Sequence, residues 1–184
     1  MRIGSLAAMV VIGSLAGSIG LAPEAGARPA DSASTKWGNE HSQLCLAVEG
    51  GGTHDPSRII QWGCVGSQDQ SWYQSSSQTI TRYGHLYQRI MNDNGGCLDV
   101  SGNALAQGLQ LQQFGCVGGP GGNKESEYWT LKRAGSDKQG RPQWEYQNLY
   151  SGMCMADEGS STKWGGAIVQ WPCNGHDDQY WYPY

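Results

Sequence analysis

Helical periodicity, blocks of positive charge and catalytic signatures are all scarce in this 184-residue chain. No stretch of eleven or more residues carries a convincing 3.6-residue apolar period, and 28 glycines are spread throughout, which argues against a helical framework. The 12 Lys and Arg form no cluster among 16 Asp and Glu, so nothing here neutralises a row of phosphates, and nucleic acid is excluded as a partner. The sequence has no G-x-S-x-G, H-E-x-x-H or P-loop, which removes the familiar hydrolase and nucleotide-binding chemistries. C-x-x-C pairs and clustered histidines are also missing. His54-Asp55 and His176-Asp177-Asp178 read as solvated turns, and no metal or cofactor is expected. Asp157-Glu158 does not make a glycosidase pair, because neighbours on a strand diverge and a general acid needs its partner across a cleft. Beyond the N-terminus no run is apolar enough to span a bilayer, so no membrane insertion is expected.

Phenylalanine occurs once, against eight Trp and nine Tyr. Aromatics with a polar handle suit a surface that stacks on ligands while staying wet. The N-terminus has the form of a secretory signal: Met1-Arg2, an apolar stretch over 3–21, and the small-residue site Ala25-Gly26-Ala27. Residues 1–27 are therefore expected to be removed on export, leaving a secreted, extracellular chain. Residues 28–35 are expected to form a flexible polar arm, and 36–184 one domain with a modest core.

Six cysteines in an exported chain imply disulfides, and six allow fifteen pairings. Their spacing favours one. Cys45/Cys64, Cys97/Cys116 and Cys154/Cys173 are each 19 residues apart, and three identical loops are most simply closed in three identical ways. An aromatic stands two places before each second cysteine (Trp62, Phe114, Trp171), and each pair is followed by a tryptophan (Trp72, Trp129, Trp181). From that tryptophan to the next cysteine is 25 residues both times. From second cysteine to tryptophan the distances are 8, 13 and 8, so the middle repeat carries a five-residue insertion in its glycine-rich stretch 117–124. The repeats run over about 36–80, 81–135 and 136–184.

Within each repeat the grammar is β. Short runs at 46–48, 109–114 and 168–171 are bounded by Gly, Asn, Asp and Ser. About four short strands per repeat predict an all-β, twelve-stranded closed assembly without exposed sheet edges, with a 3₁₀ turn before each Q-x-W.

Cys97-Leu98-Asp99-Val100, the aromatic-x-Cys strands and the Q-x-W segments (Gln70-Ser71-Trp72, Glu127-Tyr128-Trp129, Gln179-Tyr180-Trp181) resemble the ricin-type lectin family, also called carbohydrate-binding module family 13. The likeness covers 36–184. It implies a β-trefoil of six barrel strands and three capping hairpins, disulfides within each repeat, and Trp72, Trp129 and Trp181 buried in a shared core, with Trp62 and Trp171 more exposed. It further implies a sugar pocket in each repeat: an acid two places after the first cysteine, a polar support four before the second, an aromatic platform two before it, and polar groups just ahead of the core tryptophan.

On that pattern the second repeat fits best, with Asp99, Gln112, Phe114, Ser126 and Glu127, although Glu127 stands where the family has Gln. The first and third repeats hold Ala47 and Ala156 at the acid position and Ile60 and Val169 at the support. Their weaker candidates are Trp62, Asp69 and Gln70, and Asp157, Trp171, Asp178 and Gln179. Asp157 lies one place late and serves only if the chain has already turned. The resemblance implies a non-enzymatic protein binding galactose- or xylose-type sugars, glycans or glycoconjugates. The alternative is an accessory or targeting subunit of a toxin or glycoside hydrolase, or an inhibitor acting through protein contacts.

Overall fold

Four strands recur three times in the computed structural model, which describes residues 32–52, 54–118 and 124–184. The first round is β1 (Trp37–Asn39), β2 (Cys45–Val48), β3 (Ser57–Trp62) and β4 (Trp72–Arg82). The second is β5 (His85–Asn92), β6 (Gly96–Asp99), β7 (Gln112–Phe114) and β8 (Tyr128–Ser136). The third is β9 (Pro142–Asn148), β10 (Cys154–Asp157), β11 (Ile168–Trp171) and β12 (Trp181–Pro183). Expected signal residues 1–27 lie outside the described residues, as do 119–123 of the glycine-rich insertion.

The long hairpins β4–β5 and β8–β9, with the pairs β5–β8, β9–β12 and β12–β1, build the barrel wall. The wall closes through an isolated bridge between Thr35 and Trp72, whose backbone N–H groups each donate to the other's carbonyl at 2.9 and 2.8 Å. Thr35 belongs to the segment expected to be a flexible arm. Its described part, 32–35, instead runs along β4, with the Ser32 N–H donating to the Gln74 carbonyl at 3.2 Å. The cap hairpins β2–β3, β6–β7 and β10–β11 close one end and pair with each other around it, β3 with β7 and, through single bridges, Ile60 with Ala167 and Gln110 with Val169. The fold is the β-trefoil. The run expected as a strand over 109–114 is ordered as β7 only from Gln112, because Gln110 and Leu111 turn to meet the third repeat instead.

The core is built in layers of three, one residue per repeat. Trp72, Trp129 and Trp181 are each 0% exposed, and each indole N–H donates to a carbonyl of its own repeat's cap strand: Leu46, Leu98 and Met155, at 3.2, 2.9 and 3.2 Å. A buried indole needs such an acceptor, and the threefold body supplies it three times. Leu46, Leu98 and Met155 form a second layer, Ile59, Leu111 and Ile168 a third, and Trp37, Ile90 and Tyr146 a fourth. Val48 and Val100 continue the pattern, but their third counterpart is Asp157.

The three bridges are Cys45–Cys64, Cys97–Cys116 and Cys154–Cys173, each within its repeat. Two further sets of three, not expected from sequence, lock the repeats. Gln61, Gln113 and Gln170 sit centrally on the second cap strands and donate across repeat boundaries, to Ser161 and Lys163, to Gly52, and to Ala104 and Ala106 respectively. Asn39, Asn92 and Asn148 donate to the carbonyls of Asp178, Asp69 and Ser126, fixing the turn that precedes each core tryptophan.

Candidate functional site

Each repeat offers one concavity, between the end of its first cap strand, the aromatic of its second, and the 3₁₀ turn before its core tryptophan. Those turns are Gln68–Gln70, Glu125–Glu127 and Asp177–Gln179. The Q-x-W residues inside them do not face the concavities. Gln70 is 0% exposed; its Oε1 accepts from the Val65 and Gly66 N–H groups and its Nε2 donates to the Gly63 carbonyl. Gln179 repeats this with the Asn174 N–H and the Pro172 carbonyl. Both amides clamp the loop after the second cysteine, so the sequence reading of them as sugar contacts gives way to a structural role.

Glu127 holds the equivalent loop by accepting from the Val117 N–H at 3.1 Å, and its charge is met by the buried Arg89 guanidinium at 2.7 Å. Arg89 supplies the donor that a glutamine would have carried, hydrogen bonding to the Val117 carbonyl. Burial pushes the Glu127 carboxyl upward, against the Val117 hydrogen bond and the nearby Arg89 and Lys124 charges.

The second repeat brings together the residues its sequence promised. Asp99 accepts from Gln112 Nε2 at 2.7 Å and from Ser126 Oγ at 2.6 Å. The remaining capacity is taken by a residue the sequence reading did not single out. Lys124 Nζ lies 2.9 Å from Asp99 Oδ2, 3.3 Å from Glu127 Oε1 and 4.3 Å from the centroid of the Phe114 ring. Acid and platform are thus assembled and already engaged, and Asp99 is 0% exposed. Lys124 lies on the shoulder of the five-residue insertion, where no spacing argument predicts a contact.

The first and third repeats are open. A cavity of about 450 Å³ in the first is lined by Ala47, Ile60, Trp62, Ser67 and Asp69, among others. One of about 190 Å³ in the third is lined by Ala156, Asp157, Val169, Trp171, His176 and Asp178, among others. Trp62 and Trp171 are 39% and 37% exposed, as expected of platforms. The platform of the first pocket has a neighbour the sequence did not reveal: Trp164, from the third repeat, lies 5.1 Å from Trp62 centroid to centroid.

The acid has changed sides between the repeats. The Ser126–Asp99 contact shows that two positions meet at one point: three before the core tryptophan, and two after the first cysteine. In the second repeat they are Ser126 and Asp99. In the first they are Asp69 and Ala47, and in the third Asp178 and Ala156. Each concavity therefore keeps a carboxylate at this point, carried by the strand in one repeat and by the 3₁₀ turn in the other two.

Asp157 is not the counterpart of that acid. It is still on β10, paired with Ile168, at the position held elsewhere by the core residues Val48 and Val100, and like Val48 in the first repeat it also contributes to the lining of its cavity. Its two carboxylate oxygens are buried, with the Gln61 side chain as the one group working to hold the charge. Burial, with the Asp178 carboxylate adding to it, pushes its carboxyl up to about 7. Among the described residues no three His, Cys, Asp or Glu side chains group to hold a metal ion, and no helix is long and apolar enough to cross a membrane.

The designed threefold-symmetric protein ThreeFoil superposes with a TM-score of 0.65 at 24% identity, over 81% of this chain and 96% of that one. An exo-beta-1,3-galactanase from Clostridium thermocellum gives 0.68 at 27% identity over 83% of this chain, which spans only 30% of the enzyme. The earthworm R-type lectin C-half, solved in complex with GalNAc, gives 0.56 at 16% identity, over 82% of this chain and 96% of that one. Comparison with curated proteins gives no match. The sequence pattern described as ricin-type beta-trefoil lectin domain-like matches residues 31–114 and 123–183, and the chain belongs to that family.

Proposed function

We propose that this protein is a secreted, non-catalytic carbohydrate-binding lectin whose working pockets are those of the first and third repeats. The observation that carries this reading is the relocated acid. Asp69 and Asp178 each stand beside an exposed tryptophan in an open cavity, at the point where Ser126 meets Asp99 in the second repeat. A pyranose has one apolar face and a rim of hydroxyls, so it takes an aromatic ring beneath it and a fixed acceptor at its edge. Ala47 with Ile60, and Ala156 with Val169, give these pockets small or apolar floors, so the ring and the lining carboxylates, Asp69 with Glu49 and Asp178 with Asp157, do most of the recognition.

Such pockets bind a single sugar weakly. Two on one rigid body raise the affinity for a glycan chain through effective concentration, provided that the chain spans them. The ligands are galactose- or xylose-type sugars presented repeatedly. Membership of the family, and the GalNAc complex of a structural neighbour, support the carbohydrate class.

Calorimetry with galactose, xylose and a soluble xylan or galactan tests this reading. The polymer is expected to bind at least tenfold more tightly per chain than the monosaccharide, and the Trp62→Ala/Trp171→Ala double variant to lose it. Absence of binding across a broad glycan array would overturn the reading in favour of an accessory subunit working through protein contacts. Export is tested by N-terminal sequencing of the protein from the culture medium, which should begin near Arg28.

A further inference from the structure

Four side chains of the second repeat are linked by charge. Asp99 and Glu127 are fully buried, and the two cations against them are Arg89, also buried, and Lys124, whose side chain is 19% exposed. Asp99 and Glu127 carry two negative charges, and Arg89 and Lys124 two positive ones. Withdrawing the Lys124 ammonium leaves one carboxylate in a dry site without a counter-charge, which is strongly unfavourable. A neutral sugar cannot supply that charge.

Lys124 also occupies the ligand's own place. Its ammonium is over the face of Phe114 and against Asp99 Oδ2, covering the ring on which a sugar would stack and the oxygen to which it would bond. Cation and ring attract on their own account, so the contact is favourable from both sides.

We propose that Lys124 is a built-in occupant of the second pocket, and that the residue five places before each core tryptophan decides whether that repeat is open. In the other repeats this position is Ser67 and His176, and both line open cavities. Ser67 is too short to reach across its pocket and carries no charge. The Q-x-W position changes in step: Gln70 and Gln179 clamp their loops as neutral amides, whereas Glu127 brings the second carboxylate that holds the lysine. The repeat with the most complete set of family residues is on this account the silent one, and selectivity rests on the two pockets without an acidic floor. The sugar side of this inference rests on the lectin reading; the occupancy of the pocket does not.

Two experiments decide it. The first needs no sugar: the intact protein is reductively methylated for graded times and its lysines are followed by mass spectrometry. Lys124 is expected to react at least tenfold more slowly than Lys138, and Asp99→Asn to remove most of that protection. A Lys124 as reactive as Lys138 in the unmutated protein overturns the proposal.

The second experiment is calorimetry on Lys124→Ser/Glu127→Gln, which gives the second repeat the residues of the first at both positions and removes one charge of each sign, so the net charge of the site is unchanged. One additional sugar site is expected, lost again when Asp99→Asn is added. If the unmutated protein binds at two pockets and the variant gains none, the gating role is overturned and the lectin reading stands. If neither protein binds any sugar, the lectin reading and the gating role fall together.

Discussion

The indole rings of Trp62 and Trp164 stand 5.1 Å apart at an interplanar angle of 53°, joining a loop of the third repeat to the platform of the first. Trp164 is 61% exposed, so its packing on Trp62 extends an aromatic wall and does not fill a core. The approach is possible because residue 63 is glycine: a Cβ there would lie 2.8 Å from Trp164 Cζ2.

Trp164→Ala is expected to weaken glycan binding at the first pocket alone. An aromatic pair contributes about 0.5–1.5 kcal/mol beyond the area it buries, which corresponds to roughly twofold to tenfold in affinity. Measuring it in a Trp171→Ala background isolates the first pocket. Gly63→Ala should shift Trp164 and give part of the same loss. Unchanged affinity in Trp164→Ala would show that the second ring takes no part in binding.

Asp99→Ala should behave as a stability variant and not as a binding variant. The substitution frees the Ser126 hydroxyl, the Gln112 amide and one contact of Lys124, and charge-assisted bonds of this kind contribute roughly 1.5–3 kcal/mol each. Urea unfolding is expected to move to a lower midpoint, while glycan affinity stays within twofold. A tenfold loss of affinity at unchanged stability would return the main site to the second repeat.

The threefold skeleton was legible because identical spacing is a strong signal. The cysteine intervals anticipate the bridges and the repeat length the twelve strands, while the burial of the three indoles was implied by the family resemblance. Electrostatic completion was harder to read. Asp99, Gln112, Phe114 and Ser126 do converge, yet nothing in a linear pattern tells that Lys124 fills the space between them, since its reach depends on the path of the inserted loop. The clamping roles of Gln70 and Gln179 were hidden for a related reason. An amide is equally suited to a ligand and to a backbone, and only burial distinguishes them. The glutamine shared by Gln61, Gln113 and Gln170 was visible as a repeat in the sequence, but its bonds run between repeats, which no within-repeat comparison reveals.

Truncating a core indole tests the symmetric core directly. Trp129→Ala removes a fully buried ring and leaves the Leu98 carbonyl without its donor, at an expected cost of about 3–5 kcal/mol. Opening Cys97–Cys116 by a Ser/Ser pair should cost roughly 3 kcal/mol, from the restored entropy of the loop in the unfolded chain. Chemical unfolding measures both. Losses below about 1 kcal/mol for Trp129→Ala would mean that the core does not depend on this layer.

Asp157 offers the sharpest test of the layered core, because Val48 and Val100 show what its position ordinarily holds. Its carboxyl is raised from 3.8 to about 7 in the folded protein. Between those values the folded state holds a proton that the unfolded chain has released, so stability must fall as pH rises. The loss begins as pH passes the unfolded value, proceeds at up to about 1.4 kcal/mol per pH unit, and levels off above the folded one. Over the whole window it amounts to roughly 4 kcal/mol as an upper bound. Asp157→Val removes the titrating group and restores the layer. The variant should therefore be more stable than the unmutated protein at pH 8, by about 2–4 kcal/mol on the same linkage argument, and the gap should narrow towards pH 4. Urea unfolding of both proteins between pH 4 and pH 8 measures it. A stability difference that does not change with pH would show that Asp157 titrates normally. A variant less stable at pH 8 would show that its carboxylate has partners in solution that compensate its burial.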